Sequence, residues 1–298
     1  MDMMDQASSL RSMINRNRTI DELTQVEKKA EHYIKIYSVV SGKGGVGKTN
    51  FSINMAIKFQ QMGKRVLLLD ADLGMCNANI MLGMETKLSL IDLIQGRATL
   101  DQIITKGPSG IHLISGGADL LSLKAIEDIR QQEIVDAMSQ IMDYDILIID
   151  IGAGITKYSL TFIQLSHEVI IITTPEPTAI TDAYRIVKAI AVYKLKEQVK
   201  VVVNQIHDLS QGEEAFQKLF KTSSQFLHMK LQSIGFIFYD TRVRKSIMEQ
   251  IPVVLKYPNG LASQNIKQIC ENILEDKEYS YKVSNFKQLS NKLLRIFG

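Results

Sequence analysis

The chain has 298 residues, of which 45% are hydrophobic and 22% charged. That length and balance suit one large α/β domain with extra segments at its ends, and they exclude global disorder. The formal net charge is only +3, so bulk electrostatics give no argument for nucleic acid as a partner.

Residues 1–33 are polar and charged, with scattered apolar positions such as Leu10, Met13 and Ile20. They read as an arm preceding the domain. Met1-Asp2-Met3-Met4-Asp5 lacks the basic patch and apolar run of a signal peptide. No apolar run reaches the ~18 residues needed to span a bilayer. The two cysteines, Cys76 and Cys270, are far apart and form no CxxC, which suits a reducing compartment. The expected location is the cytoplasm, with any membrane contact peripheral.

The domain proper is expected over 34–282. Its first strand is 36–40, followed by candidate strands at 65–70, 111–115, 145–149, 168–173, 199–203 and 233–237. Helices are expected at 48–62, 123–142, 177–194, 211–227 and 261–275. The strands are continuous apolar runs such as Val66-Leu67-Leu68-Leu69, as in a parallel sheet covered on both faces. The alternation predicts an α/β fold with a doubly wound, mostly parallel sheet. Ligands of such a sheet sit at the carboxyl ends of its strands.

Directly after the first strand comes Gly42-Lys43-Gly44-Gly45-Val46-Gly47-Lys48-Thr49, which fits GxxxxGK[ST] at every fixed position. Its glycines let backbone N–H groups turn toward phosphates, and the following helix adds its positive end. Lys48 is placed to reach the β- and γ-phosphates, and the Thr49 hydroxyl to bind Mg²⁺. The strand 145–149 closes on Asp150, the pattern of a carboxylate that holds Mg²⁺ through water. The chain lacks the guanine-reading NKxD, which favours ATP over GTP.

Lys43 inside the loop gives KGGVGKT, a form that resembles the deviant phosphate loop of the MinD/ParA ATPase family. The resemblance implies an ATP-bound homodimer in which Lys43 crosses to the partner's nucleotide. It makes Asp72, in Asp70-Ala71-Asp72, the residue that positions the attacking water, with Lys43, Lys48 and Asp72 as the catalytic set. Asp70 alone fits a helix cap or turn equally well. Asn77 resembles a family residue near the γ-phosphate, and Gly152-Ala153-Gly154 resembles the segment that senses it. Position 151 is Ile151 where the family often has Thr. Asn204, at the end of a strand, resembles the family's adenine-reading amide, with a turn Asn as the alternative. Phe238-Tyr239-Asp240 is expected to line the same base pocket.

The last segment, 283–298, places Phe286, Leu289, Leu293 and Phe297 on one helical face, and no acid follows Glu278. A basic amphipathic helix suits an anionic membrane surface, and equally could dock on the core. Near the start, Asp5, Gln6, Ala7, Leu10 and Arg11 make the pattern DQAxxLR. This resembles the arm of the FlhG (YlxH) branch of the family. That branch implies two partners, the SRP-type GTPase FlhF and the flagellar C-ring proteins. The rivals are a division-site MinD, a ParA-type DNA-partitioning ATPase and an iron–sulfur carrier. The last would want paired cysteines.

Overall fold

The computed structural model describes residues 34–72, 76–117 and 131–275. The apolar runs become eight strands of one sheet: β1 (Lys35–Val40), β2 (Val66–Ala71), β3 (Ile104–Lys106), β4 (His112–Ser115), β5 (Ile146–Ile151), β6 (Glu168–Thr173), β7 (Gln198–Ile206) and β8 (Lys230–Phe238). Their order across the sheet is β3-β4-β2-β5-β1-β6-β7-β8. Every neighbouring pair is parallel except β3 with β4. The expected doubly wound, mostly parallel sheet is therefore what forms.

The described helices are α1 (Lys48–Gln61), α2 (Ala78–Met81), α3 (Leu90–Ile94), α4 (Leu100–Ile103), α5 (Gln131–Ser139), α6 (Lys157–Leu165), α7 (Pro177–Val192), α8 (Leu209–Leu227), α9 (Thr241–Met248), α10 (Val253–Lys256) and α11 (Leu261–Leu274). Successive strand side chains point to opposite faces, so the sheet divides the interior into two cores. Leu67, Leu69, Ile149 and Ile171 pack with Phe162 and Val187 on the face of α6, α7 and α8. Leu68, Ile148, Ile170 and Val202 pack with Phe51, Phe59 and Ile269 on the face of α1 and α11. All six residues of β2 and of β5 are buried, which explains their apolar sequence up to Asp70 and Asp150. Leu68 is wholly inaccessible, and truncating such a side chain to Ala costs about 2–5 kcal/mol.

The expected long elements appear within a few residues of their expected bounds, except that β7 and β8 run longer. Of the expected helix 123–142, residues 131–142 are described, and the helix ends there at Ser139. The antiparallel edge β3 and the short helices α2, α3, α4 and α10 were not anticipated, because three to five residues carry no readable period. The longer α6 was also missed. Thr156 caps it, with Ser159 N–H donating to Thr156 Oγ1 at 3.0 Å and Thr156 N–H to Ser159 Oγ at 2.7 Å. The third helical position thus holds Ser instead of the Glu or Gln that marks a capping box in a sequence. The expectations for the arm (Asp5, Gln6, Ala7, Leu10, Arg11) and the tail (Phe286, Leu289, Leu293, Phe297) fall outside the described residues. Among the described residues, no helix is long and apolar enough to cross a membrane.

Candidate functional site

The parallel sheet brings the loops after β1, β2, β5, β6 and β7 to one end. Residues 41–47 span from β1 to α1 there. Gly47 precedes α1 with φ +90°, and no side chain caps the helix, so side chains leave the first-turn N–H groups available to an anion. Only glycine suits that position. A Cβ there would lie 2.4 Å from Asn204 Nδ2, on a backbone conformation that L-residues avoid. Asn204 closes the contact from β7: its Nδ2 donates to Val46 O at 2.8 Å, and its Oδ1 accepts from Gln205 N–H at 2.9 Å. Both ends of the amide are thus engaged within the chain.

Lys48 is buried and donates to Asp150 Oδ1 at 2.9 Å. Ser52, one turn further along α1, donates to the same oxygen at 2.8 Å. Asp150 Oδ2 is buried with no hydrogen-bond partner. An orphan carboxylate oxygen is costly to keep dry. It fits a hard cation that takes oxygen ligands, and the Thr49 hydroxyl lies 3.4 Å from Lys48 Nζ, which holds the other oxygen of Asp150. Thr49 and Asp150 are therefore the residues that would hold Mg²⁺. Bound there with a nucleotide, the ion would neutralise phosphate charge.

Asp70 pairs in register with Asp150 across β2 and β5. It accepts backbone N–H bonds from Asn77 and Ala78, both at 2.9 Å, and from Asp72 at 3.2 Å. Its role is to fold the loop after β2, the cap-like reading. Burial, and then the charge of Asp150, push its carboxyl up to about 6. Asp72 is freer. Its Oδ1 lies so close to Gly152 that a Cβ there would sit 2.7 Å away. Burial and Asp150 raise its carboxyl, and the Lys48 ammonium opposes them. Asp72, Lys48, Asp150 and the Gly152 segment thus converge at the loop. Ile151 is buried in the core, which accounts for an apolar residue there.

Lys43 goes elsewhere. Its Nζ leaves the loop and donates to Glu176 Oε2 at 2.7 Å and Thr178 Oγ1 at 3.2 Å, at the start of α7. Asp240 also differs from expectation in its surroundings. Its carboxylate caps α9, accepting from Arg242 N–H at 3.0 Å, Arg242 Nε–H at 2.8 Å and Ala262 N–H at 3.3 Å. It joins α9 to α11. Beside it, Tyr239 stands 52% exposed with its ring 5.4 Å from that of His207. Ser52, Glu176 and Thr178 were missed in the sequence. Ser52 could have been found as the buried position four residues after Lys48. Glu176 carried one clue, its place just past a strand's carboxyl end. Two open grooves of about 430 and 450 Å³ lie at the other end of the sheet.

This constellation suits phosphoryl transfer, where positioning and charge stabilisation outweigh a strong base. Comparison with known proteins agrees. Residues 32–274 match the ParA family, described as NUBPL iron-transfer P-loop NTPase. Antiactivator FleN of Pseudomonas aeruginosa is 35% identical over 243 residues, covering 81% of this chain and 87% of FleN. The flagellum site-determining protein YlxH of Helicobacter pylori is 29% identical over 96% of this chain and all of YlxH. Among solved structures, the septum site-determining protein MinD of Pyrococcus horikoshii, complexed with Mg-ADP, superposes with a TM-score of 0.69 at 24% identity. It covers 81% of this chain and 96% of that one, and shows the shared fold.

Proposed function

This chain belongs to the ParA/MinD family of P-loop ATPases, on the branch of FleN and YlxH, and from that premise we propose that it is an ATP-driven dimerising switch of flagellar number and placement. ATP closes a homodimer, the dimer holds an anionic membrane surface at the inner face of the cell membrane, and hydrolysis releases it.

One observation carries this reading. Two lysines of the same loop have opposite destinations. Lys48 is buried against Asp150, within reach of a nucleotide held by its own chain. Lys43 is turned away from that site and is 40% exposed, as suits a group that acts on a second subunit. Asp72 positions water, Asn204 reads adenine, and the region of Asp240 borders the base. Gly42, Gly44, Gly45, Val46 and Gly47 line the phosphates. The arm residues Asp5, Gln6, Ala7, Leu10 and Arg11 address an SRP-type GTPase of the FlhF kind and C-ring proteins. Phe286, Leu289, Leu293 and Phe297 enter the lipid. Iron transfer has less support. The two cysteines are buried at separate places, Cys76 beside Asp70 and Asp72 and Cys270 beside Met55, and burial raises the thiol of Cys76 to about 11.

Size exclusion with light scattering, in ATP and Mg²⁺, tests the switch. Asp72→Ala should bind ATP, lose on the order of a hundredfold or more in turnover, and accumulate as dimer. Lys43→Ala should bind ATP as a monomer. A dimer population unchanged by Lys43→Ala overturns the trans role.

A further inference from the structure

The end of the sheet opposite the nucleotide carries a surface that the switch does not use. The ends of α7 and α8 meet there, because β7 and β8 start side by side, with Gln198 opposite Lys230. Lys230 N–H donates to Glu197 O at 3.3 Å and ties the two turns together. Leu195 and Leu227 anchor both turns in the core. Their neighbours point outward: Val192, Tyr193 and Phe226 are 63%, 61% and 64% exposed. Held turns with large apolar side chains in water mark a contact surface.

The charge around them is predominantly positive. Residues 187–196 and 215–230 hold six lysines and no Asp or Glu. Lys196 is committed to Gln164 O and Ser166 O at 3.2 and 2.6 Å, and Lys218 lies 3.9 Å from Glu214. Lys188, Lys194, Lys221 and Lys230 are exposed. One exposed carboxylate, Glu197, lies in the α7–β7 turn. The surface is made of projecting helix ends beside Lys230, the first residue of the edge strand β8. Aromatic side chains with a ring of lysines suit the headgroup level of an anionic bilayer. The end is also the right one. Leu274, the last residue of α11, lines a groove with Lys35 and Glu168 at the starts of β1 and β6, so α11 ends at this same end of the sheet.

We propose that Val192, Tyr193 and Phe226, with Lys188, Lys194, Lys221 and Lys230, form a second membrane contact on the body of the domain, which lies against anionic lipid while the tail inserts. This rests on the membrane reading above and adds to it. A tail alone leaves the domain free to rotate, whereas two contacts fix its face to the bilayer.

The chain contains no Trp, so Tyr193→Trp makes a single fluorescent reporter. With ATP and vesicles of phosphatidylglycerol and phosphatidylcholine, its emission should shift to the blue. Gln217→Trp, about 14 Å back along α8 from Phe226, should stay unchanged. Tyr193→Glu/Phe226→Glu should weaken vesicle binding by at least about tenfold, with the same melting temperature and the same ATP turnover without lipid. The inference is overturned, and the membrane reading kept, if wild-type pellets with vesicles, Phe286→Glu/Leu293→Glu does not, and the Tyr193→Glu/Phe226→Glu variant pellets as wild-type does. Absence of wild-type pelleting in every nucleotide state overturns both. A reporter that answers soluble poly-glutamate and ignores vesicles makes this a protein-docking surface instead.

Discussion

The two ends of this sheet solve opposite problems with the same strands. At the carboxyl end, charge is buried: Asp70 and Asp150 lie side by side, and Lys48 pairs with Asp150. At the amino end, the corresponding charges neutralise one another. Glu168 sits between Lys35 at 2.6 Å and Lys200 at 2.7 Å. Asp150 Oδ2 and Glu168 Oε2 both lack a hydrogen bond, but Glu168 Oε2 lies 2.7 Å from the Lys200 ammonium, whereas Lys48 pairs with the other oxygen of Asp150. The difference teaches where to look for chemistry. Unbalanced buried charge is held by the fold for a ligand to complete, whereas balanced charge is architecture.

The strongest way to break that contrast is to remove Lys48. Lys48→Ala leaves Asp150 buried and unpaired, which costs about 3–5 kcal/mol of stability without nucleotide. It should also abolish turnover, by on the order of a thousandfold or more. Adding Asp150→Asn should restore most of the stability, seen in urea melts, and none of the activity. If the double variant recovers turnover, the pair is architectural after all.

Gly47 is next. Gly47→Ala places a Cβ 2.4 Å from Asn204 Nδ2, at φ +90°. The cost is about 1–3 kcal/mol, through strain in the loop or loss of the Asn204 bond to Val46. ATP affinity measured by calorimetry should fall with stability. An unaffected affinity would mean that the loop's apo geometry is not the one that binds.

A pH titration sharpens the comparison further. Asp70 prefers its proton in the folded chain, with its carboxyl raised from 3.8 to about 6 by burial first and Asp150 second. A raised acid stabilises the fold fully below its unfolded pKa and loses that contribution as pH rises through the folded one. Without nucleotide, the urea midpoint should therefore fall between pH 4 and 7. Asp70→Asn, which keeps an oxygen for the N–H groups of Asn77 and Ala78, should flatten the fall. A slope unchanged by Asp70→Asn would assign it to other groups.

How much of this was legible in the sequence depends on range. The phosphate loop, Asp150 and the strand order's general type follow from local patterns: a strand, fixed glycines, a helix. The sheet's carboxyl end could be named as the site from the βα rhythm alone. Contacts between distant segments could not. The bond of Asn204 to Val46 joins residues 158 positions apart, and that of Lys43 to Glu176 joins residues 133 apart. Asp240 shows the same limit from the other side. Its place after a strand suggested the base pocket, but its partners, Arg242 and Ala262, depend on how α9 meets α11.

The smallest effect concerns the hold on Lys43. Glu176 precedes α7, yet its side chain makes no capping bond to that helix; its carboxylate is given to Lys43 instead. Both side chains are substantially exposed, so the pair contributes at most about 1 kcal/mol. If Lys43 must leave Glu176 to reach a partner subunit, this energy opposes dimer closure. Glu176→Ala should then tighten the ATP-dependent dimer, by no more than about fivefold, while ATP binding by the monomer and the stability of α7 stay unchanged. A weaker dimer in Glu176→Ala would instead mean that the carboxylate delivers the lysine across the interface, making the ion pair a part of the closed state and not a latch on the open one.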